Sequence, residues 1–303
     1  PGQIGGEFAL SAACGGEGGD PAKRRFGGEG EVVSATASLL DSLETVLAGF
    51  GAASIAVSGG VDSMTLAVVA GRRLGGRAQM FHAASPAVPA EASERVRRYA
   101  AVEGWSLAVF DAGEFDDPRY RANPANRCFF CKTNLYDSIA ARTDRTILSG
   151  TNMDDLGDYR PGLEAAAAHD VRHPYVEAGI DKAGVRAIAA YLGLDDLQAL
   201  PAAPCLSSRV ETGLAIEPDV LTRVHAAERF VARRIGAATV RCRVRRDVVV
   251  IELDSDTLAG LSESGQEAVT AEVARMFRAE GDRRPVTLAA YRMGSAFLRD
   301  GAR

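Results

Sequence analysis

The sequence predicts a doubly wound α/β domain followed by a smaller α+β domain, and three observations predict it. Short apolar runs alternate with helical patterns between residues 53 and 192, the arrangement of a parallel sheet covered by helices. The first apolar run passes into its helix through a turn of small residues, Ser58-Gly59-Gly60-Val61-Asp62-Ser63. After the segment from Pro201 to Pro204 the pattern changes to a basic amphipathic helix and paired strands.

Taken in order, residues 1–30 are rich in Gly and charge and poor in large apolar side chains, so a disordered tail is expected there; it contains Cys14. A helix is expected over about 34–49, from Ser34 as N-cap to Gly49-Phe50-Gly51 as stop. Ala53–Val57 reads as the first strand. Gln79–Ala83, Ser106–Phe110 and Thr146–Ser149 read as the next three. Helices are expected after the small-residue turn and over Ala90–Glu103, Asn134–Ala141 and Ala183–Leu192. In the second part, Pro218–Arg234 reads as a helix. Thr239–Val244 and Val248–Leu253 follow as paired strands, then a helix over Gln266–Glu280 and a strand over Pro285–Tyr291. The expected boundaries are a tail at 1–30, the α/β domain at 31–204 and the smaller domain at 205–303.

Length, composition and charge narrow the class of function. The chain has 303 residues, 47% hydrophobic and 25% charged, the balance of a folded globular protein. Its net charge of −5 argues against a generally basic nucleic-acid binder. No apolar run suffices to cross a bilayer, and no charged-then-apolar signal segment is evident, so a cytoplasmic enzyme without membrane partners is expected. The five cysteines form an odd set, Cys14, Cys128, Cys131, Cys205 and Cys242. That argues against a disulfide framework and directs attention to reactive thiols or metal ligands.

The small-residue turn is the first chemical signal. Gly59 and Gly60 allow open or positive-φ backbone, so the turn's N–H groups and the following helix dipole can face one phosphate. The pattern lacks the Gly-Lys-Ser/Thr ending of a Walker loop. It resembles instead the PP-loop of ATP pyrophosphatases, which cleave ATP between the α and β phosphates and adenylylate an oxygen of the substrate. Ser58, Gly59, Gly60 and Ser63 are the expected phosphate binders, with Asp62 as the catalytic partner of Mg²⁺ and pyrophosphate. His82 ends a strand, where packing is expected rather than base catalysis.

The second signal is Cys128-Phe129-Phe130-Cys131, a CxxC expected in a polar loop after Asn123-Pro124. Together with the distant Cys205 it could supply three thiolates, which would leave one iron of a 4Fe–4S cluster open. A redox disulfide is disfavoured because the CxxC is not expected to open a helix. A zinc site lacks an obvious fourth ligand. Spacing alone leaves metal ligation and inert packing equally open.

Longer stretches carry a family resemblance. Residues Arg127 to Tyr136 (RCFFCKTNLY), Gly150 to Leu163 (GTNMDDLGDYRPGL), Pro201 to Arg209 (PAAPCLSSR) and Tyr291 to Ser295 (YRMGS) are similar, in order, to signatures of the LarE family. The resemblance spans roughly residues 36–297. It implies an ATP-dependent sulfurtransferase in nickel-pincer nucleotide cofactor biosynthesis. The implied substrate is the small nucleotide pyridinium-3,5-biscarboxylic acid mononucleotide. A carboxylate is adenylylated and then converted to a thiocarboxylate. Cys128, Cys131 and Cys205 together resemble the branch in which a 4Fe–4S cluster carries sulfur, fed by sulfide or another sulfur donor. In the other branch the cysteine matching Cys205 is sacrificed. The resemblance further places Lys132, Asp158 and Arg160 in phosphate or substrate handling at the catalytic centre, and Arg241 and Arg243 on the substrate's phosphate. Alternation along a strand puts those two arginines on one face. Glu228 is a candidate metal or substrate contact, and Cys242 an inert packing residue. Solvated charge is the competing reading for Lys132, Asp158 and Arg160, and a charged outer face for Arg241, Arg243 and Glu228. A homo-oligomer is implied. The competing functions are a PP-loop amide synthetase using ammonia, a non-catalytic nucleotide-binding module and a tRNA thiolase. The unused cysteines disfavour the first, the intact turn and cysteine set the second, and the acidic chain the third.

Overall fold

The computed structural model describes residues 21–157, 160–202, 204–279 and 281–296, with side chains from residue 33 onward. Cys14 and Asp158 lie outside the described residues. Four parallel strands, β1 (Ala53–Ala56), β2 (Ala78–Ala83), β3 (Ser106–Phe110) and β4 (Thr146–Leu148), form a sheet in the order β3-β2-β1-β4. The chain winds outward from β1 through β2 to β3 and then returns to place β4 on the other side of β1. The switch point therefore falls between β1 and β4, where the crevice of such a sheet opens.

Alternation along each strand sorts the side chains into two cores. Ile55, Met80 and Leu148 point into one, with α1 (Pro21–Gly49), α2 (Val61–Leu74) and α3 (Ala90–Glu103). Their neighbours Ala56, Phe81 and Ile147 point into the other. Besides α4 (Pro118–Arg121), the N-terminal part holds α5 (Arg127–Ala140), α6 (Pro161–Ala168), α7 (Pro174–Glu177), α8 (Lys182–Tyr191) and α9 (Asp195–Gln198). The first core takes in Val185 and Ile188 of α8, and the second takes in Tyr136 and Ile139 of α5 and Ala166 of α6. The doubly wound expectation is met.

Two elements differ from expectation. Helix α1 begins at Pro21 rather than Ser34, taking in residues 21–30 of the expected tail; Pro at the first turn followed by Ala22, Lys23 and Arg24 is a workable helix start. The CxxC is not in a loop: α5 starts at Arg127, so Cys128 and Cys131 lie in its first turns, three residues apart on one face.

The second part packs α10 (Pro218–Ile235), α11 (Ser255–Gly260) and α12 (Glu263–Arg278) with a three-stranded sheet of β5 (Val240–Val244), β6 (Val249–Leu253) and β7 (Val286–Ala290). The β5–β6 pair is antiparallel and the β6–β7 pair parallel. Its core also encloses Ala87 and Tyr120 from the N-terminal part, and Phe130 and Cys131 pack against it. Among the described residues no helix is long and apolar enough to cross a membrane.

Candidate active site

The turn after β1 is built by its own polar atoms. Ser58 N donates to Ser63 Oγ at 3.0 Å, and the two hydroxyls lie 2.9 Å apart. Ser63 Oγ also reaches Gly60 O at 3.2 Å. Gly59 has φ 83°, and a Cβ there would lie 2.7 Å from Ala92 O. Only glycine meets both conditions. Gly60 takes the open alternative: it caps α2 in an extended conformation, and a Cβ there would meet only ordinary contact. The turn is braced from below by His82, which is fully buried. Its ring nitrogens sit 2.8 Å from Val57 O and 2.8 Å from Ser93 Oγ. Burial, the largest influence, lowers its proton affinity. The imidazole is thus a neutral brace, as the sequence reading expects. Arg95 of α3 holds Gly59 O at 2.7 Å.

The segment after β4 closes on the same helix start. A Cβ at Gly150 would lie 2.8 Å from Ser63 N, so the two chains touch backbone to backbone. Asn152 Nδ2 donates to Asp62 Oδ1 at 3.2 Å, and Lys182 Nζ lies 2.5 Å from Asp62 Oδ2. Tyr175 OH donates to Asp62 O at 3.0 Å. The Asp62 carboxylate is therefore oriented on both oxygens. Lys182 escaped the sequence reading. Its signal was local: Asp181 caps α8 through Gly184 N and delivers the next residue to the sheet's C-terminal edge.

A cavity of about 600 Å³ opens at this edge. Ser58, Asp62 and Ser63 line one side, and Cys128, Lys132 and Arg160 the other. Six of the residues singled out from the sequence thus share one space. The Lys132 ammonium lies 5.7 Å from the centre of the Tyr136 ring, and its proton affinity is raised, with Tyr136 the leading influence. Lys132 accordingly enters the cavity as a cation. Arg160 pairs with Asp155 at 2.7 Å.

Cys205 does not line the cavity but lies close enough to act on both other thiols. The Cys128 thiol is pushed up by the protein mass around it and then by Cys205, although its surface is open to solvent. Cys131 is pushed up first by desolvation and then by Cys205. Burial first, and Cys205 next, also raise the buried Tyr120 phenol. The CxxC pair does open a helix, yet its proton affinity is raised where a nucleophilic CxxC needs it lowered. Among the described residues, no group of three or more His, Cys, Asp or Glu is placed to hold a metal ion. The donor chemistry nevertheless suits an iron–sulfur cluster, whose iron corners each take one thiolate, better than a single shared ion.

The second part does not deliver its arginines to the cavity lining. Arg243 is buried and pairs with the equally buried Glu252 at 2.9 Å, and donates to Ser208 O at 3.0 Å. Arg241 donates to Val240 O and Ala202 O and lies over the Tyr291 ring. Glu228 is held by Arg209 at 2.9 Å and accepts from Cys242 N at 2.9 Å. Arg209 also donates to Pro204 O and Cys205 O, so this network fixes the backbone on both sides of the Cys205 peptide. Cys242 is buried in the second core.

A Ser-Gly-Gly-Val-Asp-Ser turn at the switch point of a doubly wound sheet, with a carboxylate at its helix start, is the arrangement expected of a PP-loop nucleotide enzyme. Comparison with known proteins agrees. An uncharacterized protein of Synechocystis sp. is 39% identical over 225 residues, 73% of this chain and 83% of the relative. Pyridinium-3,5-bisthiocarboxylic acid mononucleotide synthase of Lactiplantibacillus plantarum is 30% identical over 205 residues, 66% of this chain and 74% of the synthase. An uncharacterized protein of Methanocaldococcus jannaschii is 28% identical over 138 residues, 44% of this chain and 53% of the relative. No family model matches the chain. The chain belongs to the family of that synthase, the LarE family.

Proposed function

We propose that this chain adenylylates a carboxylate of pyridinium-3,5-biscarboxylic acid mononucleotide with ATP and replaces AMP by sulfur to form a thiocarboxylate. The observation that carries the reading is the single cavity joining the Asp62 turn to Cys128 and Lys132. A carboxylate oxygen attacks the α-phosphorus, the new O–P bond forms, and the bond to pyrophosphate breaks. The turn's N–H groups and Lys132 are suited to the charge that develops on the phosphates. Asp62 would hold Mg²⁺. Because Lys182 already engages Oδ2, metal binding there requires that ion pair to open or the metal to approach from Oδ1. Sulfur then attacks the acyl carbon and AMP leaves with the C–O electron pair.

Cys128, Cys131 and Cys205 would hold a 4Fe–4S cluster, which when bound would supply the sulfur. The exposed Cys205 thiol favours a second reading. Its sulfur attacks the adenylate and displaces AMP. Loss of the residue's α-proton with cleavage of its Cβ–S bond then releases the thiocarboxylate and leaves dehydroalanine.

The test is turnover with labelled ATP, Mg²⁺ and the biscarboxylic acid mononucleotide. AMP, pyrophosphate and a product with oxygen exchanged for sulfur are expected; ADP and phosphate would rule the reaction out. Anaerobically purified protein distinguishes the two sulfur sources. Iron and acid-labile sulfide that disappear in Cys128→Ser and Cys131→Ser support the cluster. Colourless protein that turns over once and loses mass at residue 205 supports sacrifice.

A further inference from the structure

We propose that Asn123 is a positioning residue that fixes Cys205 against the Cys128–Cys131 pair. The proposal rests on the reading that these thiols act in sulfur transfer. Asn123 is fully buried and sits at φ 54°, in the left-handed region. That region is uncommon for any residue but glycine, although Asn enters it more readily than most.

Each of its polar atoms has a use. The backbone N donates to Tyr120 O at 2.9 Å, and the carbonyl accepts from Gly213 N at 2.9 Å. The side-chain amide faces two ways. Oδ1 accepts from Arg127 Nη1 at 2.9 Å, and Arg127 is the buried residue immediately before Cys128. Nδ2 donates to Val210 O at 3.3 Å and Glu211 O at 2.9 Å. Val210 follows the short helical turn Leu206–Arg209, which itself follows Cys205. One amide thus joins the start of the CxxC helix to the end of the Cys205 turn, reaching Val210 across 87 residues from Asn123 itself.

A parallel tie runs from Tyr120 OH to Ser207 Oγ at 2.6 Å. Both ties come from the stretch that precedes α5, and neither side chain lines the cavity. A glycine would satisfy the backbone at position 123 with less strain. An amide there has a side-chain task.

Two variants of the full chain separate the side chain from the backbone. Asn123→Asp keeps an acceptor for Arg127 but turns an oxygen toward the carbonyls of Val210 and Glu211. Asn123→Gly keeps the left-handed backbone and removes both ties. Pyrophosphate release and sulfur incorporation are measured separately with the biscarboxylic acid mononucleotide. Pyrophosphate release is expected to stay within about two-fold of wild type, as for sites without shared partners. Sulfur incorporation is expected to fall about ten-fold or more, the scale of one buried hydrogen bond left unmade. If Asn123→Asp is insoluble, Asn123→Gly carries the test.

Equal loss of both steps in the soluble variants would overturn the proposal in favour of a general folding role. Unchanged sulfur incorporation would overturn it directly. Cys205→Ser is run in parallel. Full sulfur transfer in Cys205→Ser would sink the underlying functional reading. Loss of transfer in Cys205→Ser, with wild-type transfer in both Asn123 variants, would sink the positioning role alone.

Discussion

The turn after β1 and the helix start that carries Cys128 share one cavity, and the turn and the three-cysteine group are built in opposite ways. The turn is local in its making: strand, glycines and helix start lie within residues 53–64, and the bonds within it link residues two to five apart, with Arg95 and Tyr175 bracing its backbone from outside. The three-cysteine group is assembled from distant segments, tied by bonds from Asn123 and Tyr120 to residues 87 and 88 positions further on. On the proposed function, adenylylation would depend on a device that folding makes with the first strand, and sulfur delivery on the N-terminal part meeting the second core. A perturbation on one side should leave the other chemistry standing.

The largest effect is expected from Asp62→Asn. Removing the charge at the phosphate turn should lower pyrophosphate release by a factor on the order of 10³, the scale for losing one preorganised electrostatic contact at a reacting phosphate. Iron and acid-labile sulfide should remain at the wild-type level after anaerobic purification. Loss of both would show that the two sites are not separable.

On the opposite side, Arg243→Met removes the closer of the two guanidiniums on buried Glu252, leaving Arg245 at 3.5 Å, and frees Ser208 O. Breaking a buried pair outright costs about 3–5 kcal/mol, and with Arg245 still in place a smaller loss is expected in the denaturant midpoint. The double variant Arg243→Met with Glu252→Met should recover most of that stability. If Arg243 also binds the substrate's phosphate, KM for the nucleotide stays raised in the double variant. A KM equal to wild type would reduce Arg243 to a structural role.

Gly59→Ala tests the local device itself. The left-handed backbone alone costs about 1–2 kcal/mol for an L-residue, to which the clash with Ala92 O adds. KM for ATP should rise with the loss of stability. An unchanged ATP affinity would mean that the turn's shape is not what binds phosphate.

The smallest effect concerns pH. His82 and His173 both have lowered proton affinity, each mainly through burial. Below the ordinary imidazole pKa of about 6.5 the unfolded chain binds protons that the folded chain resists, so stability falls as pH drops through that value. Thermal melts should show a decline in Tm from pH 7 to pH 5. The decline should be shallower in His82→Gln. An equal slope would remove His82 as a contributor.

The parts of the molecule legible in the sequence were those governed by short-range rules. The apolar runs placed all seven strands to within about two residues, since burial on a pleated sheet leaves a pattern in any order of assembly. Ala90–Glu103 is bounded by Pro89 and Gly104, both visible as punctuation. The start of α5 was missed because Pro124 and a run of polar residues read as loop. The helix starts there because Arg127 is buried and pinned by Asn123, and Phe130 and Cys131 pack on the second core. The burial of Arg243 was not legible, for its partner Glu252 is supplied by the adjacent strand.

The doubly wound class and the strand–turn–helix with its small residues are written in the chain's local pattern, as is the set of cysteines available to it. These follow from backbone sterics, hydrophobic periodicity and side-chain chemistry, which act between near neighbours. Only the tertiary structure decided which charges face the cavity and which are spent on one another. It put Lys182 on Asp62, Glu252 on Arg243 and Glu228 on Arg209. Whether a charged side chain is a ligand or a structural partner depends on what lies within a few ångströms, and residues far apart in the chain set that distance.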